Sequence, residues 1–251
     1  MIRGLYTAGS GMLAAQAQSD IIGDNVANLK TPGYKAEQGS AQAFPSQLIE
    51  RLGITANGNA EATLLGSIGT GVIVDRISKF NIQGVIQTTD KVTDLALNTP
   101  GYFVVQTGQG ERYTRNGQFQ LNALGALQTA DGYAVLGENG PIGVSNHLSQ
   151  QFKVASDGTV TDGGKVIDHL RVVDIPESAL EREGQSLYSA NQTSAATLVQ
   201  IRQGAFEASN VDAASQMVQM ITVMRAYEAN QKVIQTQDAT LEKAVNEVGK
   251  I

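Results

Sequence analysis

Residues 210–248 read NVDAASQMVQMITVMRAYEANQKVIQTQDATLEKAVNEV, and no Pro or Gly interrupts them from Val211 to Val248. Ala213, Met220, Tyr227, Ile234, Leu241 and Val248 form one row at seven-residue spacing, with Met217, Met224, Gln231, Asp238 and Val245 as a second. That is the period of a helix that packs on another helix. At 1.5 Å per residue the helix is roughly 57 Å long, a rod that must bury its stripe on something else. Three of the chain's five Met residues fall in its first half, and the adaptable thioether suits contact with more than one neighbour. A further apolar row, Val211, Ala214, Val218 and Ile221, widens the face, so neighbours beyond a single partner helix are expected. Asn210 or Ser209 is placed to cap the helix, with Asp212 in its first turn.

The partner helix is expected at the opposite end. Leu5, Ala8, Met12, Ala15, Ser19, Ile22, Val26 and Leu29 alternate at spacings of three and four, which predicts a helix over residues 3–29. Ala8, Gly9, Gly11, Ala14, Ala15 and Ala17 let another helix approach closely. Arg3 and the small-x-small site Ala15-Gln16-Ala17 imitate a secretory signal, but Thr7, Gly9, Ser10 and Gly11 interrupt its apolar core. The helix is expected to end before Thr31-Pro32-Gly33. No run reaches the roughly 18 apolar residues of a membrane span, so no transmembrane anchor is expected.

Residues 34–66 carry no sustained period and read as a connector, with one short amphipathic piece at Phe44 to Leu52. From Gly66 the pattern changes: 16 of the 27 Gly residues lie between Gly66 and Gly164. Short runs rich in Val, Ile, Tyr and Phe (Gly71 to Ile77, Asp94 to Leu97, Tyr102 to Gln106, Gln118 to Leu121, Tyr133 to Leu136) are separated by turn dipeptides such as Asp131-Gly132 and Asp157-Gly158. This predicts hairpins of an antiparallel sheet. A pair formed by Phe152 to Ala155 and His169 to Ile175, a helical turn near Ala179 to Arg182, a loop at Ser189 to Ala196 and a last strand at Leu198 to Ile201 complete it. The expected fold is α+β. Terminal helices (1–30 and 210–251) pair as a coiled-coil-like domain, followed and preceded by an extended connector (31–65) and an inserted antiparallel all-β domain (66–209).

Composition narrows the function. The net charge is -6 and no stretch concentrates the 18 Lys and Arg, which argues against a nucleic-acid partner. The absence of Cys excludes disulfides, thiolate metal sites and Cys nucleophiles. His147 and His169 form no ligand pair, and Gly108-Gln109-Gly110 fits a hairpin turn better than a dinucleotide loop. Asp157 to Gly163 lacks the alternating ligands and closing Glu of a calcium loop. Pairs such as Glu181 with Glu183 fall on solvated faces. No catalytic residue, metal, cofactor or small-molecule substrate is expected.

Several segments together resemble the bacterial flagellar basal-body rod and hook family. Near the start they are Asp24-Asn25-Val26-Ala27-Asn28-Leu29-Lys30-Thr31-Pro32-Gly33-Tyr34-Lys35. In the middle they are Asp94-Leu95-Ala96-Leu97-Asn98, Gly101-Tyr102-Phe103-Val104-Val105 and Arg112-Tyr113-Thr114-Arg115-Asn116-Gly117-Gln118-Phe119. Near the end they are Ser209-Asn210-Val211-Asp212, Met217-Val218-Gln219-Met220-Ile221 and the run Arg225-Ala226-Tyr227-Glu228-Ala229-Asn230-Gln231-Lys232-Val233-Ile234-Gln235-Thr236. Asn25, Asn28, Pro32, Gly33, Tyr34, Asn210, Asp212, Arg225, Glu228 and Asn230 carry the signature. Gln216, Thr240 and the pair Leu29-Lys30 depart from the family's usual residues.

The resemblance implies an axial structural protein that polymerises with itself and joins other rod and hook proteins in a hollow tube transmitting torque. It also implies passage through the flagellar type III export apparatus without cleavage, and a place in the basal body. The assembly interface is then expected at Leu5, Met12, Ile22, Val26, Leu29, Met217, Met220, Met224, Tyr227, Ile234, Leu241, Val245 and Val248. The length suits a rod protein. A hook or junction component is the alternative within the class, and a cell-wall hydrolase the alternative outside it.

Overall fold

The computed structural model describes residues 2–54, 60–144, 152–184, 186–196 and 198–248. They divide into two compact units, one of residues 1–25, 37–78 and 213–251, the other of 26–36 and 79–212. His147 and the Asn57-Gly58-Asn59 turn lie outside the described residues.

In the first unit the terminal helices α1 (Ile2–Ala27) and α2 (Ala213–Val248) pack together. The same unit holds β1 (Glu37–Ala43), β2 (Gln47–Ile54), β3 (Ala60–Ile68) and β4 (Val72–Lys79). β2 and β3 form an antiparallel hairpin from Gln47 opposite Ile68 to Ile54 opposite Ala60, and β1 pairs with β4. The stretch read as an unpatterned connector therefore holds three strands, and the expected amphipathic piece is β2. The missing period has a physical cause. Leu48 in β2 and the adjacent Leu64 and Leu65 in β3 are all exposed, and strands that leave apolar side chains in water need no alternation of apolar and polar residues.

The second unit is the inserted antiparallel domain. Its central strand, Tyr102–Thr107, pairs with Gly110–Thr114 on one side and with Ala134–Val135 and Val172–Asp174 on the other. Alternate residues of that strand enter two cores. Phe103 and Val105 join Leu95, Phe119, Leu127, Val135, Phe152 and Val160, with Phe119 edge-on to Phe103 at 5.2 Å. Tyr102 and Val104 join Tyr113, Leu136 and Tyr188 on the opposite face.

Gly108-Gln109-Gly110 lies at the hairpin turn expected of it. Other expectations are corrected. Phe152–Val154 pairs with Thr159–Asp162, whereas Lys165–His169 and Val172–Asp174 are separate strands. The helical turn expected at Ala179 to Arg182 lies earlier, at Glu177–Ala179, and Leu180–Arg182 is a strand against Leu187–Ala190. The supposed loop thus begins in a strand, and Ser194–Ala195 pairs with Val172–Asp174. The final strands are Ile201–Gln203 and Ala205–Glu207.

Two glycines explain close approaches. Gly33 follows Pro32 with φ +69° after α1 has ended. A Cβ on Gly117 would lie 1.6 Å from the Leu95 carbonyl oxygen, so only glycine allows strand Leu95–Leu97 to run alongside.

Candidate assembly surface

The helix pair is antiparallel. A Cβ on Gly4 would meet Gln237, and one on Gly11 would meet Asn230 Nδ2 at 2.8 Å. The Ser19 hydroxyl donates to Met220 Sδ at 3.3 Å, and Asn25 Nδ2 donates to Gln216 Oε1 at 3.1 Å. Along α1 the partners thus rise as those on α2 fall.

The half-buried residues of α2 are Ala213, Gln216, Met220, Val223, Tyr227, Asn230, Ile234, Gln237, Leu241 and Ala244. The row through Met220, Tyr227, Ile234 and Leu241 is the expected one. The companion row is corrected: it runs through Gln216, Val223, Asn230, Gln237 and Ala244, one position before the row through Met217, Met224 and Val245. Apolar periodicity missed it because α1 presents Gly4, Gly11 and Asn25 there, and amides fill the space those residues leave.

Met217, Met224 and Val245 are instead 59%, 57% and 71% exposed, and Val218 and Ile221 beside them are 64% and 53% exposed. On α1, Ile22 is buried, Met12 half-buried and Leu5 exposed. Leu5, Met12, Tyr227 and Ile234 line an open apolar hollow of about 850 Å³ with Leu13, Phe44 and Thr70. Val26 is exposed, and Leu29 packs on Tyr34, Ala36 and Val211 within the second unit. The side chain of Val248 lies outside the described residues.

The signature residues divide between framework and surface. Asn25 is buried and clasps β1: its Nδ2 donates to the Glu37 carbonyl at 2.7 Å and its Oδ1 accepts from the Glu37 N–H at 2.9 Å. The buried Asn28 accepts from the Thr31 hydroxyl at 3.0 Å in the turn that ends α1, ahead of half-buried Pro32. Tyr34 is buried under the Arg182 guanidinium, 4.9 Å from its ring centre. Asn210 does not cap α2. Its Oδ1 accepts from the Ala36 N–H at 2.7 Å while its Nδ2 donates to the carbonyls of Phe80 and Ile82. Asp212, Arg225 and Glu228 are exposed.

Sequence reading did not find the buried charges of the second unit. Glu207, 1% exposed, accepts from Lys35 Nζ at 2.6 Å on one oxygen and from Arg115 Nε at 2.6 Å on the other. The Gly84 N–H adds 2.9 Å to the first oxygen, and the Glu207 carbonyl accepts from the Gly33 N–H at 2.8 Å. Burial alone would raise the Glu207 carboxyl, but Arg115, Lys35 and the Gly84 N–H overcome it and hold it below its ordinary value. Burial lowers the Lys35 ammonium against the pull of Glu207. One carboxylate thus ties the segment that follows α1, the residue just past strand Gly110–Thr114 and the strand that precedes α2. Lys35 and Arg115 lie in quoted motifs, but no spacing links them to Glu207.

Among the described residues no three His, Asp or Glu side chains gather to hold a metal ion, and no helix is long and apolar enough to cross a membrane.

Three family models match in order along the chain. Residues 5–35 match the flagella basal body rod protein, residues 96–162 the flagellar hook protein FlgE/F/G D1 domain, and residues 202–247 the flagellar basal body rod FlgEFG protein C-terminal region. Over all of both chains the sequence is 37% identical to the flagellar hook-basal body complex protein FlhO of Bacillus subtilis. It is 33% identical to the flagellar basal-body rod protein FlgG of the same organism, over 98% of this chain and 99% of that one. It is also 33% identical to the flagellar basal-body rod protein FlgF of Caulobacter vibrioides, over all of both.

Proposed function

Because the chain belongs to the flagellar basal-body rod protein family, we propose that it is a structural subunit of the rod, polymerising through its terminal helices into the hollow axial tube that transmits torque. The observation that carries this is α2 itself: none of its side chains from residue 213 to 247 is buried, although they include Met217, Val218, Ile221 and Met224. Apolar area of that kind is worth about 25 cal/mol for each Å² removed from water, and neighbouring subunits offer the means of removing it. The family is structural, and the chain is not an enzyme. Its partners are other rod and hook proteins and further copies of itself, and its place is the basal body, reached through the flagellar export apparatus without loss of a leader.

Ile221→Asp and Met224→Asp test the reading. Both sites are exposed, so the free subunit should keep its stability within about 0.5 kcal/mol, while tubes seen by electron microscopy and rods in isolated basal bodies should be lost. Normal rods built from either variant would remove α2 from the interface.

A further inference from the structure

We propose that Met217 and Met224 form a peroxide-sensitive modification site that controls entry of the free subunit into the rod, an inference that rests on the assembly reading above. The chain has no Cys, so its thioethers are the only sulfur that a mild oxidant meets. Met217 and Met224 are two turns apart on α2 and are 59% and 57% exposed. Met220, between them, is half-buried, and its sulfur accepts the Ser19 hydroxyl. Met12 is also half-buried.

The chemistry needs only hydrogen peroxide. A sulfur lone pair attacks one peroxide oxygen, the O–O bond breaks as the S–O bond forms, and the other oxygen leaves, taking the proton of the attacked oxygen to depart as water. The sulfur loses two electrons and the peroxide gains them. The product sulfoxide is polar, and in place of Met217 or Met224 it would put a strong dipole into the apolar patch shared with Val218 and Ile221. An interface that must dry that patch then has to desolvate the dipole. Assembly, conversely, would bury both sulfurs and shield them.

The test treats the full-length subunit with hydrogen peroxide and follows each Met by peptide mass spectrometry. Met217 and Met224 should convert severalfold faster than Met220 and Met12, and Ser19→Ala should speed Met220 alone. The oxidised subunit should fail to form tubes, and methionine sulfoxide reductases of both stereospecificities with a thiol reductant should restore them. Preformed tubes should resist conversion at Met217 and Met224. Equal rates at all four residues, or normal tubes from subunits oxidised at Met217 and Met224, would overturn the proposal. An unoxidised subunit that forms no tubes at all would instead strike the assembly reading on which it rests.

Discussion

The inserted β domain and the helix pair treat apolar residues in opposite ways. In the domain Phe103, Val105, Leu127 and Val135 are wholly withdrawn from water, and both faces of the central strand are covered. In the pair, α2 runs 36 residues against a shorter partner, and its described side chains are at best half-buried. Burying a Leu, Val or Phe completely stabilises by about 1.5–3 kcal/mol, so the domain holds enough of them to fold on its own account. On the assembly reading proposed above, the pair draws comparable burial from neighbouring subunits. A unit that is stable alone and a unit that is stable only in company are what a subunit needs if it is to join a polymer without aggregating first.

The sharpest way to break this contrast is to attack the domain where it depends on charge. Glu207→Ala leaves Arg115 and Lys35 buried without their counter-ion, which should cost about 3–5 kcal/mol in urea unfolding followed by the sheet's circular dichroism. A loss below about 1 kcal/mol would mean that the carboxylate is not what ties these segments together. The pH dependence follows from the lowered Glu207 pKa. The stabilisation is complete above the ordinary carboxyl value of 4.5 and disappears as the pH falls through the folded value beneath it. The wild-type domain should therefore lose this share of its stability below pH 4.5, and Glu207→Ala should lack that part of the slope.

A milder comparison uses one substitution in both units. Leu127 is fully buried and Leu241 half-buried. Leu127→Ala should cost about 2–5 kcal/mol, the usual range for a cavity in a packed core. Leu241→Ala should cost the free subunit about 1 kcal/mol or less. Equal losses by thermal unfolding would mean that the helix pair is as self-sufficient as the domain.

How far these features could be read in advance depends on how local they are. The end of α1 ahead of Pro32, the uninterrupted α2 and the Tyr102 to Gln106 strand are written in adjacent residues, and all were legible. Strand partners were not, because the Val172–Asp174 run looks the same whichever neighbour it takes. The seam was half legible: Met220, Tyr227, Ile234 and Leu241 advertise it, but Gln216, Asn230 and Gln237 read as surface until Asn25, Gly11 and Gly4 are seen opposite them. Glu207 was invisible for a related reason. Its two cations lie 92 and 172 residues away, and nothing in a linear pattern marks a carboxylate as buried.

The smallest expected effect tests that seam most directly. Gly9 and Gly11 both lie in α1, and replacing a helical Gly by Ala stabilises by about 0.5–1 kcal/mol when space allows. A Cβ on Gly9 would meet nothing within 4 Å, whereas one on Gly11 would meet the Asn230 amide. Gly9→Ala should therefore slow hydrogen exchange of the α1 amides, while Gly11→Ala should show little or none of that gain. The obstruction is the end of a flexible side chain, so it should be removable: adding Asn230→Ala to Gly11→Ala should recover the protection, and the coupling in a double-mutant cycle should be absent with Gly9→Ala. If Gly11→Ala protects as well as Gly9→Ala, Gly11 does not face Asn230. The antiparallel register would then be wrong, and with it the division of α2 into an inner amide row and an outer row of Met217, Met224 and Val245.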